Sequence, residues 1–108
     1  MQHLEAIIEG LFREAEDDEV GLWRLVAAIR HNLGQTTEAD IQATSLQVVE
    51  KLIERGVDLV DYHEGRGWAK WPEQSVEAKL ARIQREWNAL GRAPNLGDIC
   101  WFTLRKNG

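Results

Sequence analysis

A single cysteine, a single tyrosine, a single methionine and two prolines occur in 108 residues. One cysteine cannot close an internal disulfide or supply a cysteine-rich zinc site, which points to a reduced, cytoplasmic protein. Long apolar runs are also missing. The longest, such as Leu25 to Ile29, fall far short of the roughly 20 residues a bilayer requires. The start, Met1-Gln2-His3-Leu4-Glu5, has no basic stretch followed by a long apolar one, so no secretory signal is expected. His3, His31 and His63 lie too far apart to make a recognisable ligand motif, and none forms an i, i+4 pair.

The same scarcity extends to catalytic signatures. Asp61-Tyr62-His63-Glu64 holds acid–base groups, but no nucleophile or cofactor motif accompanies them. Gly65-Arg66-Gly67 follows acids and opens no helix, so it reads as a turn and not as a phosphate cradle. Cys100, between Ile99 and Trp101, reads as a buried thiol, and a reactive one needs an accessible, electropositive setting. No catalytic residue, cofactor or metal ligand is therefore assigned, and an enzyme is not expected.

What is present is the balance of a globular protein, 44% hydrophobic and 29% charged, with a mass that supports one domain over residues 1–108. Charge is unevenly spread. Residues 1–54 carry 11 acids against 4 bases, and residues 55–108 carry 7 against 9, for a net charge of −5. The densest stretch is Glu14-Ala15-Glu16-Asp17-Asp18-Glu19. Such a field repels phosphate backbones and speeds encounter with a cationic surface.

Periodicity predicts four helices and three strands. Leu4, Ile7, Ile8, Leu11, Phe12 and Ala15 share one face of a helix over 2–16. Asp17 or Asp18 is placed to cap a second helix that buries Leu22, Trp23, Val26, Ile29 and Leu33 and stops at Gly34. Thr37, with Asp40 three residues on, opens a third helix through Ile41, Val48, Val49 and Leu52, which ends at Gly56. The period then changes to alternation. A strand through Val57, Leu59 and Tyr62 meets a turn at 63–67 and a return strand, Trp68 to Trp71, ended by Pro72. Ser75 caps a fourth helix through Val76, Leu80, Ile83, Trp87 and Leu90, closed by Gly91, and Ile99 to Leu104 forms a last strand.

The expectation is an α+β single domain: three N-terminal helices, a β-hairpin, a fourth helix and a C-terminal strand. This is a winged-helix-like order, without an evident strand between the first two helices. Fold order assigns no function. The third helix, where a winged-helix protein would read DNA, holds Glu38, Asp40, Glu50 and Glu54 against Lys51 and Arg55, which opposes phosphate binding. A winged-helix-like transcription regulator or adaptor is thus the alternative, not the first expectation. Five tryptophans stand out, and Trp68 and Trp71, three apart, face opposite sides of a regular strand. One of the two is a candidate interface anchor, since tryptophan is enriched at binding hot spots.

Gly56-Val57, Trp71-Pro72, Ile83, Trp87, Leu90-Gly91, Pro94 and Gly97-Asp98-Ile99-Cys100-Trp101-Phe102 form a cadence over about residues 48–104. In it the chain resembles small acidic bacterial immunity proteins of polymorphic toxin and contact-dependent growth inhibition systems. The resemblance implies a cytoplasmic protein that neutralises a cognate toxin domain, often a nuclease, by non-covalent binding. Glu14, Glu16, Asp17, Asp18 and Glu19 are the candidate contact residues for that partner, with Asp58, Asp61 and Glu64 as a second acidic edge.

Overall fold

The computed structural model describes residues 2–34 and 37–104. Chain order is α1 (Gln2–Asp17), β1 (Val20–Gly21), α2 (Leu22–Leu33), α3 (Glu38–Glu54), β2 (Asp58–His63), β3 (Gly67–Lys70), α4 (Val76–Leu90) and β4 (Trp101–Thr103). The α+β class and the order of helices, hairpin, helix and strand are as expected.

Local chemistry explains most boundaries. The Thr37 hydroxyl accepts from the Asp40 N–H at 3.1 Å, and the Ser75 hydroxyl accepts from the Ala78 N–H at 3.0 Å. Each satisfies an amide that the first helical turn leaves without a partner. At the other ends, Gly34 and Gly91 adopt left-handed caps at φ 67° and 71°.

The second helix starts differently from expectation. Neither Asp17 nor Asp18 caps it. Its N-cap is Gly21, with no side-chain cap bond, and the Asp18 carboxylate accepts from the adjacent Glu19 N–H at 2.8 Å. The cause is β1, a two-residue strand between the first two helices that pairs with β4 at Val20↔Phe102 and Gly21↔Trp101. That strand completes the winged-helix-like beginning. The last strand is also shorter than the expected run, since Ile99 and Cys100 stand outside it.

The four strands form one antiparallel sheet in the order β1-β4-β2-β3. β4 is inserted between β1, at one edge of the sheet, and the hairpin, so a strand from late in the chain is central and pairs with both. Val20, Leu59 and Phe102 point to the same side and join Leu22, Leu25, Ile29, Ile41, Val48, Leu52, Ile83 and Trp87 in the core. All four helices contribute to that core. Removing these side chains from water is the main force holding helices to sheet. Ser45 on α3 is fully buried among them, and its hydroxyl has no hydrogen-bond partner among the described residues.

Candidate functional site on the outer face of the sheet

Strand alternation fixes what the far side of the sheet presents. Leu59 and Phe102 face the core, so Val60, Tyr62 and Trp101 face away from it, and Trp68, opposite Tyr62, joins them. The Tyr62 and Trp68 rings meet edge to face at 5.0 Å, and Trp68 meets Trp101 in the same way at 5.4 Å. Val60, on the same face between Tyr62 and the Trp101 it pairs with, is 0% exposed although it lies outside the main core. Tyr62 remains 55% exposed and Trp68 36%. Trp71 is the hairpin tryptophan that packs inward, at 5%. Trp68 is therefore the candidate interface anchor of the two.

Trp23 extends the aromatic row across β1. A Cβ on Gly21 would lie 2.5 Å from Cδ1 and Nε1 of Trp23 and 3.4 Å from Trp101. Only glycine permits that indole to lie flush on the strand beside Trp101. The buried Trp23 Nε1 has no acceptor among the described residues.

Beside Trp101 the sheet opens. The β2–β4 ladder ends at Val60↔Trp101, whereas β2 continues to His63 against β3. The chain leaves the sheet in a three-residue turn, in which the Cys100 N–H reaches the Asp98 carbonyl at 2.9 Å around Ile99 at φ 69°. For a β-branched residue this is a strained conformation, worth on the order of 1–3 kcal/mol. Asp98 braces the turn by accepting from the Asn95 N–H and from Arg92, both at 2.8 Å. These two partners, the Asn95 amide first, hold its carboxyl below the usual range. The divergence leaves a cleft of about 370 Å³ lined by Asp61, Tyr62, His63, Gly97, Ile99 and Trp101.

The acidic candidates fall in three places. Glu16, Asp17 and Asp18 are exposed at the end of α1, and Glu19 is half-buried. Glu14 pairs with Arg24 at 2.9 Å. Burial pushes the Glu19 carboxyl up, and its hydrogen bond with Asp18 adds to this while holding Asp18 down. Asp58 is adjacent to this corner, because it pairs with Thr103 and the following Leu104 N–H bonds the Ala15 carbonyl at 3.2 Å. Lys70 stands 3.7 Å from Asp58. Glu64 is exposed in the hairpin turn.

Asp61 does not share an edge with Asp58 and Glu64. It points to the α4 side, where it accepts from Trp71 Nε1 at 2.9 Å and from Arg82 at 3.4 Å. Arg82 also binds Glu73 at 3.0 Å and Glu86 at 2.7 Å, and it stands 3.8 Å over the Trp71 ring. The Cys100 thiol is buried. Its burial, with Asp61 and Glu86 nearby, pushes its pKa well above the ordinary thiol value. That environment disfavours the thiolate. Among the described residues, no group of three or more histidines, cysteines or carboxylates is placed to hold a metal ion. No helix among them is long and apolar enough to cross a membrane.

Sequence reasoning missed Trp23, Trp101 and Ile99 as parts of one surface. Their signals, a glycine two residues before a tryptophan and a Gly-Asp-Ile turn before an aromatic strand, carry meaning only once β1 and β4 are paired. No family model matches the chain, and neither a curated protein nor a solved structure is found to be similar to it.

Proposed function

We propose that this chain is an immunity protein: in the cytoplasm it binds a cognate toxin domain that has a basic surface, such as a nuclease domain, and neutralises it by non-covalent contact. The observation that carries this reading is the exposed Tyr62–Trp68–Trp101 row on the open face of the sheet. Large aromatic side chains already fixed against one another bind with little loss of side-chain freedom, which is the character of interface anchors. The acidic corner at Glu16 to Glu19 and Asp58 borders one end of the same face. It supplies long-range attraction to a cationic partner.

The test is co-expression with the product of the neighbouring upstream reading frame, followed by size-exclusion chromatography and a toxicity assay. Co-elution with loss of toxicity supports the proposal, and separate elution with toxicity intact overturns it for that pair. Exchanging Glu14, Glu16, Asp17, Asp18 and Glu19 for their amides slows association and flattens its salt dependence, with the fold retained. Unchanged rates remove that corner from the interface.

A winged-helix-like regulator is the second reading, favoured by the α1–β1–α2–α3–β2–β3 order. Salt-dependent binding of duplex DNA would support it. The carboxylates of α3, Glu38 and Asp40 in its first turn, oppose it.

A further inference from the structure

We infer that the cleft where β4 leaves the sheet is a strand-addition site, which takes up an extended, cationic segment of the partner beside Tyr62. This rests on the binding reading above and specifies how the partner is engaged. Three features of the cleft converge on it.

The first is main-chain chemistry. In an antiparallel sheet, successive residues of a central strand send their N–H and C=O groups alternately to the two neighbours. Trp71 N–H bonds the Leu59 carbonyl at 2.9 Å, which assigns Leu59, Asp61 and His63 to β3. Asp58, Val60 and Tyr62 are thereby assigned to the β4 side. The first two of these have β4 beside them, but the ladder stops at Val60↔Trp101. Tyr62 directs an N–H and a C=O at the cleft with no strand among the described residues alongside. An extended peptide satisfies such a pair, and side-chain pockets then supply selectivity.

The second is shape. Ile99 would have continued β4 opposite Tyr62, but the turn at φ 69° carries it away. The vacated volume, about 370 Å³, is walled by Tyr62 and Trp101. A three-residue segment in line with β4 spans about 10 Å. Its outward side chains would rest on the aromatic row.

The third is charge. Asp61, in the cleft wall, belongs to a set of three carboxylates with Glu73 and Glu86 that share the single guanidinium of Arg82. Arg85 is the next cation acting on Glu73, so the cluster stays net negative with it included. At the adjoining turn Glu64 and Arg66 are both exposed and offset one another, so the negative charge of the cleft wall is that of the Asp61 cluster. Along β2 the acidic end of the face at Asp58 lies about 13 Å from Tyr62. A cationic segment is attracted along this path, whereas the phosphates of a single-stranded nucleic acid are repelled.

The experiment selects a displayed library of random octapeptides against the full chain and follows the Tyr62 amide by hydrogen exchange. In the free chain that amide exchanges faster than those of Asp61 and His63, which have β3 beside them. A selected peptide, basic and aliphatic in alternation, slows it at least about tenfold. Tyr62→Ala, which keeps the N–H, weakens binding severalfold, and Tyr62→Pro, which removes it, weakens binding at least about tenfold further. The wild-type exchange measurement stands even where Tyr62→Pro fails to fold.

An unchanged Tyr62 amide in the peptide-bound chain overturns the inference, as does the absence of any enriched peptide. Protection of that amide by a short oligothymidylate and not by peptides overturns it in favour of a nucleic-acid platform. Co-elution with the toxin and an unprotected Tyr62 amide would sink strand addition alone. Separate elution with a peptide-protected amide would sink only the immunity reading.

Discussion

Replacing Arg82 with alanine tests whether one guanidinium ties the hairpin to α4. Its side chain is 19% exposed and binds carboxylates of β2, the segment after β3 and α4 itself, at 3.4, 3.0 and 2.7 Å. It also covers the Trp71 ring at 3.8 Å. Hydrogen bonds to charged groups contribute about 1.5–3 kcal/mol each at most, and a cation over an aromatic face about 0.5–2 kcal/mol. These overlap, and the three carboxylates are between 25% and 36% exposed, so the sum is discounted for solvent screening. Arg82→Ala is expected to cost about 2–4 kcal/mol, because it also leaves Asp61 and Glu86 crowded above buried Cys100. In thermal denaturation that is a fall in Tm on the order of 10–20 °C for a domain of this size. Arg82→Lys keeps the charge but loses the fork, so it is expected to recover about half. Arg13, 74% exposed in its pair with Glu9, is the control, and Arg13→Ala leaves the transition where it was. A transition for Arg82→Ala matching that of Arg13→Ala would refute the reasoning, and full recovery by lysine would refute the part assigned to the fork.

Three further outcomes follow from the packing and the charges. Ser45→Ala removes a buried hydroxyl that has no partner among the described residues, so urea denaturation should show a gain of about 1 kcal/mol, and a loss of that size would mean the hydroxyl is satisfied in solution. Gly21→Ala suits the backbone at φ −77° but drives a Cβ against Trp23, so a cost of about 1–3 kcal/mol and a shift in tryptophan emission are expected; equal stability would show that the indole does not lie on the strand. Glu38 is held below its usual range by Arg30, Glu9 by Arg55 and Asp98 by the Asn95 amide and Arg92. Groups with lowered folded-state values stabilise above their unfolded values and lose that contribution as pH falls through the folded ones. Glu19, raised by burial, works in the opposite sense but is outnumbered. Stability should therefore decline on acidification below pH 4.5, the ordinary glutamate value, and a rise there would contradict the assignment.

Four helix ends were legible because their chemistry is local, whereas the start of α2 was not, since it is capped by Gly21 in β1 and by no side chain. Thr37 and Ser75 each reach an amide three residues on, and Gly34 and Gly91 take a backbone conformation that costs other residues more. The core stripes of α1, α3 and α4 were legible for the same reason, since period 3.6 repeats several times within each helix. The acidic corner could be read as a charge run, and Trp68 and Trp71 as facing opposite ways, but not which of them would be covered. A strand of two residues contains no period, so β1 became visible only through its pairing with β4 from the other end of the chain. That pairing brings Trp23 beside Trp101, and the end of the β4 ladder gives the cleft at Tyr62 its open side. The sequence alone determined where the chain turns and which helix faces are apolar, through interactions a few residues long. The tertiary structure decided the strand order, the exposed aromatic face and the unpaired edge, because each depends on contacts between residues that are far apart in the chain.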